Sequence, residues 1–259
     1  MTDEAYARAA TLASRAAELD RTAARVGMMP AFSGALRGHD IKVVAEVKRA
    51  SPSRGVISRD LDLTKQVAAY EAGGAAAISV LTESTRFGGS NEDLVRARSA
   101  VGIPLLKQDF HVETIQILEA RSLGASAALV IARAVPPARL KELMAAGNDS
   151  GIEILVEVRN ERELDLALGF GARVIGVNNR NLETLEIDPD TSLRLLPLVP
   201  SDIVAVAESG VSSVKDVERL ALAGADAVLV GTVLSALSEP EEAVRSLTGI
   251  ERIPGARKS

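Results

Sequence analysis

The sequence predicts a (β/α)8 (TIM) barrel with an extra N-terminal helix, and three observations carry that expectation. Eight short runs of β-branched and aliphatic residues recur along the 259-residue chain. Helically spaced segments fill the intervals, and several of these end in a glycine-containing junction before the next run. Strands that are apolar almost throughout belong to a parallel sheet covered on both faces. Eight such units close most economically into a barrel, and a barrel domain of this length is ordinary. The expected organisation is one barrel domain over residues 1–259, with 1–40 as a helical extension. A doubly wound open sheet is the alternative, but it normally has a glycine-rich first turn, and the first turn here is SPSRG.

The strand candidates are IKVVAEVK from Ile41, AAAISVL from Ala75, IPLLKQ from Ile103 and SAALVI from Ser126, then IEILVEV from Ile152, RVIGVNN from Arg173, IVAVAE from Ile203 and DAVLVG from Asp226. Helical spacing is plain in VETIQILEARSL after Phe110 and VKDVERLALA after Ser213. The junctions AGGA at Ala72, LGAS at Leu123, FGAR at Phe170 and AGAD at Ala223 suit helix C-termini, where glycine takes up a left-handed backbone without a Cβ penalty. GFGARV at Gly169 begins like a dinucleotide fingerprint, but it follows a helix and precedes a strand, the reverse of what pyrophosphate binding requires.

Composition narrows the chemistry. A formal charge of -5 without a basic cluster argues against a nucleic-acid surface. There is no cysteine, so thiol nucleophiles and thiolate metal sites are excluded. His39 and His111 have no ligand-like neighbours in sequence, so no metal site is expected. The N-terminal stretch lacks the layout of a signal peptide, and no apolar run approaches a membrane span. A cytoplasmic protein with no membrane or nucleic-acid partner is expected, as a monomer or weak homo-oligomer.

Barrel chemistry sits at the C-terminal ends of strands, so polar residues that interrupt apolar runs there are the candidates. Glu46 and Lys48 share a face of the first strand. They point either into the mouth, paired or meeting a ligand, or outward as a salt bridge beneath the helices. Glu157 closes the fifth run, where a carboxylate has a raised pKa unless a cation is near. It suits a general acid or base, or an orienting partner for a lysine. Asn178 and Arg180 share a face if the sixth strand runs straight, and amide with guanidinium can hold a planar anion. AESG after the seventh run and LVGT after the eighth fit the backbone phosphate cradle common to such barrels.

The succession AEVKRASPSRG, SVLTE, PLLKQDF, LVEV, IGVNNRNLETLEID, AESGV and AVLVG resembles the indole-3-glycerol phosphate synthase family of tryptophan biosynthesis, from Lys42 to Val233. The resemblance implies a (β/α)8 barrel, a carbon-carbon lyase that closes an indole ring. Carboxyphenylamino-deoxyribulose phosphate becomes indole-3-glycerol phosphate with loss of carbon dioxide and water, without cofactor or metal. It further implies that Glu46, Lys48, Glu157, Asn178 and Ser209 are catalytic, and that Ser51 and Arg180 position the substrate. Gly210, Gly231 and Thr232 would bind its phosphate, and Phe87 and Phe110 would sandwich the anthranilate ring.

One position departs from the family pattern. The third strand of the family normally ends in lysine, aspartate and phenylalanine, that lysine being a principal general acid. Alignment on Asp109 and Phe110 puts Gln108 in the catalytic place. An amide donates a hydrogen bond but delivers no proton. Adjacent strand residues face opposite sides, so Lys107 should point toward the helices unless a bulge turns it inward. Three readings follow: a working synthase in which Lys48 covers the acid steps, a divergent enzyme for a related arylamine sugar phosphate, or a non-catalytic phosphate-ligand-binding barrel.

Overall fold

All eight expected strands form, and each pairs in parallel with its successor: β1 (Lys42–Val47), β2 (Ala77–Leu81), β3 (Leu105–Gln108), β4 (Ala127–Ile131), β5 (Glu153–Val158), β6 (Val174–Asn178), β7 (Val204–Glu208) and β8 (Ala227–Val230). β8 returns to β1, with Lys42 opposite Ala227, and the barrel is closed. The computed structural model describes residues 2–52, 55–57, 61–236 and 239–257. Strands buried on both faces explain the unbroken apolar runs: β2, β4, β6, β7 and β8 are buried at every residue.

Helices cover the outside. Thr114–Ser122 and Val214–Leu222 occupy the two segments whose spacing predicts them. GFGARV is the junction between the helix Glu161–Gly169 and β6, and Gly171 there has φ 84. The N-terminal extension is helical, as expected, and is built in several pieces. Thr2–Leu12 and Ala16–Arg25 are separated by a 3-10 turn, and the short helix Phe32–Ala35 leads into β1. The first helix brings Arg8 to Asp109 at 2.5 Å, whereas the second buries Leu19 and Ala23 and packs against Thr114–Ser122. The intervening bend serves both contacts.

After β1, Ala50–Ser51 pairs antiparallel with Gly55–Val56, a small ladder that no pattern in the sequence announces. Ser53 and Arg54 of the SPSRG loop lie outside the described residues.

The opposite end of the barrel is tied by a buried charge. Asp226, immediately before β8, is inaccessible to solvent; its Oδ2 accepts from the Ala205 N–H at 2.7 Å and from Arg257 at 2.7 Å, and Arg252 also pairs with it. The C-terminal segment is thereby fastened under β7 and β8. Replacing Asp226 with Ala leaves two guanidinium groups without their counter-ion, which typically costs about 3–5 kcal/mol. The expected outcome is a lower urea midpoint for Asp226→Ala with kcat nearly unchanged, because the site lies at the far end of the strands.

Candidate active site

Glu46 and Lys48 point into the mouth, not outward. They form a close ion pair, with side chains only 6% and 11% exposed. The room for them comes from the neighbouring strand: a Cβ on Gly231 would sit 1.9 Å from Glu46 Oε1 and 3.0 Å from Lys48 Nζ. A side chain at position 231 would force the charged pair to move, so Gly231 serves the pair itself, beyond any part it plays in binding phosphate.

Across the mouth, Glu157 is buried, and its carboxyl is pushed up to about 7 by burial first and by the nearby charge of Glu163, against the opposing amide of Asn178. Asn178 is oriented by its own backbone neighbourhood. Its Oδ1 accepts from the Arg180 N–H at 2.9 Å, which turns its NH2 toward Glu157. Behind Glu157 stands Glu208, the last residue of β7, also buried and within hydrogen-bond reach of it. Burial, then the charges of Glu157 and Glu46, hold the Glu208 carboxyl well above the usual carboxylate range.

At the end of β3 the phase is as strand alternation requires. Lys107 is fully buried on the helix side, paired with Asp109 at 3.3 Å and with Glu119 of Thr114–Ser122 at 3.5 Å. Asp109 also accepts from Thr82 Oγ1 at 2.7 Å and from the Phe110 N–H at 2.8 Å. Burial alone would raise its pKa, but the charge of Lys107 leads a set of cationic and hydrogen-bonding partners that holds it well below the ordinary range. Gln108 lines the cavity instead, and its Oε1 accepts from the Ser79 hydroxyl. What it can present to a ligand is its NH2 group.

Phe87 and Phe110 line the same cavity, with Leu81, Leu129, Ile131 and Leu182 supplying further apolar surface. Arg180 lines it too, but β6 ends at Asn178, so the straight-strand geometry is corrected: Arg180 sits in an antiparallel bridge to Ile187 and donates through Nη1 to Leu185 O at 2.8 Å. A contiguous polar cavity is lined by Gly210, Gly231, Thr232 and Ser209, together with Lys48 and Arg180. Ser209 has φ 65 and Gly210 φ 89, consecutive left-handed residues that turn the chain sharply at the end of β7. Ser51 is buried in the small ladder after β1 and is not among the residues lining these two cavities.

Three contributors escape the sequence reading. Glu208 carries the same signal as Glu157, a carboxylate ending an apolar strand, and that signal suffices to find it. Asn179 donates to Ser209 O at 2.9 Å and accepts from the Ser192 N–H at 2.9 Å, thereby holding the strained Ser209 turn. Ser79 acts only through its contact with Gln108, which no local pattern reveals.

Fold and site together define a barrel enzyme whose acid and base groups converge at the C-terminal mouth. The family model for indole-3-glycerol phosphate synthase matches residues 4–247, and the chain belongs to that family. It is 47% identical over 242 residues to indole-3-glycerol phosphate synthase 1 of Streptomyces coelicolor, covering 93% of this chain and 89% of that protein. It is 45% identical over 248 residues to the enzyme of Mycolicibacterium gilvum, covering 96% of this chain and 90% of that one. Among solved structures, 3-hexulose-6-phosphate synthase from Salmonella typhimurium superposes with a TM-score of 0.64 at 15% identity, covering 80% of this chain and 96% of that chain. Thiamine phosphate pyrophosphorylase from Pyrococcus furiosus gives 0.61 at 14%, covering 83% and 95%. These two likenesses establish the barrel alone.

Two substitutions check the assignment of sides. Gly231→Ala should displace the Glu46–Lys48 pair and lower kcat by about 10²-fold, the typical cost of a small misplacement of catalytic groups, while far-ultraviolet dichroism stays native. Lys107→Met leaves the buried Asp109 and Glu119 without their shared cation. It should lower the denaturation midpoint by an amount equivalent to about 3–5 kcal/mol, with little effect on kcat in the folded protein.

Proposed function

We infer that this chain closes the indole ring, converting carboxyphenylamino-deoxyribulose phosphate into indole-3-glycerol phosphate with release of carbon dioxide and water. The observation that carries the reading is the convergence on one mouth of a lysine–glutamate pair, a buried glutamate with a raised pKa, two phenylalanines and an adjoining glycine-lined polar cavity. No step of this reaction calls for a metal or a redox cofactor.

The roles follow from the chemistry. Phe87 and Phe110 offer faces for the anthranilate ring. Backbone N–H groups around Gly210, Gly231 and Thr232 suit the phosphate, and Arg180 between the two cavities suits a carboxylate or phosphate oxygen. The Ser209 hydroxyl can donate to the sugar or phosphate oxygens, whereas Ser51 would reach them only from the ladder after β1, outside the two cavities. Lys48 supplies positive charge and a proton to the departing hydroxyl, and Glu157, steadied by Asn178, exchanges protons with the reacting carbons and oxygens. Gln108 stabilises the developing alkoxide by a hydrogen bond only.

A second reading has a specific observation in its favour. With Gln108 where the family pattern has a proton donor, the barrel would act on a related arylamine sugar phosphate or bind a phosphate ligand without turnover. A fluorescence assay for the indole product separates the two. The chain as written is expected to form product, and Gln108→Lys to raise kcat by about 10²-fold, the lower end of what a positioned acid contributes. Tight binding of the substrate with no product would favour the second reading.

A further inference from the structure

Two carboxyl side chains meet across the glycine of β6. Glu157, the penultimate residue of β5, lines the cavity, while Glu208 ends β7 and stands behind it; both are buried and lie within hydrogen-bond reach of each other. Gly176, between them, makes the approach feasible, since a Cβ there would lie 2.0 Å from Glu208 Oε1. That oxygen has no hydrogen-bond donor among the described residues.

Lys48 and Arg180 line the same cavity as Glu157, but Lys48 is paired with Glu46 and Arg180 donates to Leu185 O. Glu157 is faced by the Asn178 amide from β6, by Glu163 from the helix Glu161–Gly169 and, more weakly, by Arg133 from the turn after β4. Glu208 is faced by Glu157 and by Glu46, and Glu46 is already engaged with Lys48. Two carboxylates in contact and shielded from water do not both ionise, so one proton stays between them, as in the carboxylate dyads of acid proteases. The pair titrates as a unit.

We propose that Glu157 and Glu208 share one proton, and that Glu208, as a positioning residue behind Glu157, makes the pair the general acid of ring closure that Gln108 cannot be. The proposal rests on the indole-forming reading above. When the ring carbon bonds to the ketone carbon, the carbonyl electron pair moves to oxygen, which takes the proton from Glu157. The pair is doubly ionised only while the intermediate lasts, and that high-energy state makes it a strong base. Carbon dioxide leaves without its bonding electrons, which restore the aromatic ring. Lys48 protonates the hydroxyl, which departs as water, and the pair recovers its proton from the adjacent methylene carbon as the ring double bond forms. One proton per turnover is consumed, replaced on Lys48 from solvent.

The test is Glu208→Gln, which keeps the shape and removes the shared proton. In the parent, kcat should fall on the alkaline side as the pair loses its proton, because the acid is present below its pKa and absent above it. In Glu208→Gln, kcat at neutral pH should drop by about 10²-fold with KM nearly unchanged. Its alkaline limb should move acidward by more than one pH unit, because Glu157 has lost its proton-sharing partner. Gln108→Lys added to Glu208→Gln should restore most of the rate, a lysine then supplying the acid. A normal parent rate with an unmoved alkaline limb in Glu208→Gln overturns the pair while leaving the function intact. Absence of product from the parent overturns the function, and with it the catalytic step. Carbon NMR of labelled glutamates in the unliganded parent reads the proton directly and independently of the variant's folding: one neutral carboxyl shared by these two residues at neutral pH supports the proposal, and two ionised carboxylates overturn it.

Discussion

Everything at the mouth of this barrel depends on the inward and outward alternation of side chains on eight strands that are closed on themselves. Closure leaves no edge, so the register of each strand is held on both sides and the phase cannot slip by one residue without turning a whole apolar face outward. Under that constraint Glu46 and Lys48 both enter the mouth from β1, and Gln108 enters while Lys107 is sent to the helices. The same rule brings Glu157 and Asn178 to one cavity from two strands.

Charged groups held in so dry a place need partners, and the chain meets the need differently on each side of the barrel wall. Outside, Lys107 is enclosed by Asp109 and Glu119, and Arg8 from the N-terminal helix adds to the same cluster, so this lysine stabilises the wall instead of reacting. Inside, Lys48 balances Glu46, and Glu157 and Glu208 are left with chiefly each other. The mouth sets two cations, Lys48 and Arg180, against Glu46, Glu157 and Glu208, and burial favours the neutral form of the latter two carboxyls. Burial first, and then the charge of Glu163, raise the carboxyl of Glu157 into the range where it can give and take a proton near neutrality.

Glycine plays a specific part in this crowding. Gly231 and Gly176 leave the volume into which Glu46 and Glu208 respectively extend, so two strands give up a side chain where their neighbours place a carboxylate. Conformation is the issue elsewhere: at Ser209 the left-handed turn is held by Asn179, which anchors the loop after β6 to the end of β7. The second asparagine of VNNRN thus serves the site by shaping a turn, and the first by orienting a carboxylate.

Much of this was legible before the fold was known. Apolar runs separated by helical segments and glycine junctions determine the strand count and the parallel order, because burial on both faces leaves no other pattern. The period of two determines which of Lys107 and Gln108 can face a ligand, and the polar ends of the runs identify Glu46, Lys48, Glu157 and Asn178 as candidates. What only the tertiary structure decided is which of these groups touch. The contact of Glu157 with Glu208, the Ser79 hydroxyl on Gln108 and the room that Gly231 leaves for the Glu46–Lys48 pair are relations between different strands. Their distances are set by the curvature and register of the closed sheet, quantities that belong to the whole barrel and to no single segment of the chain.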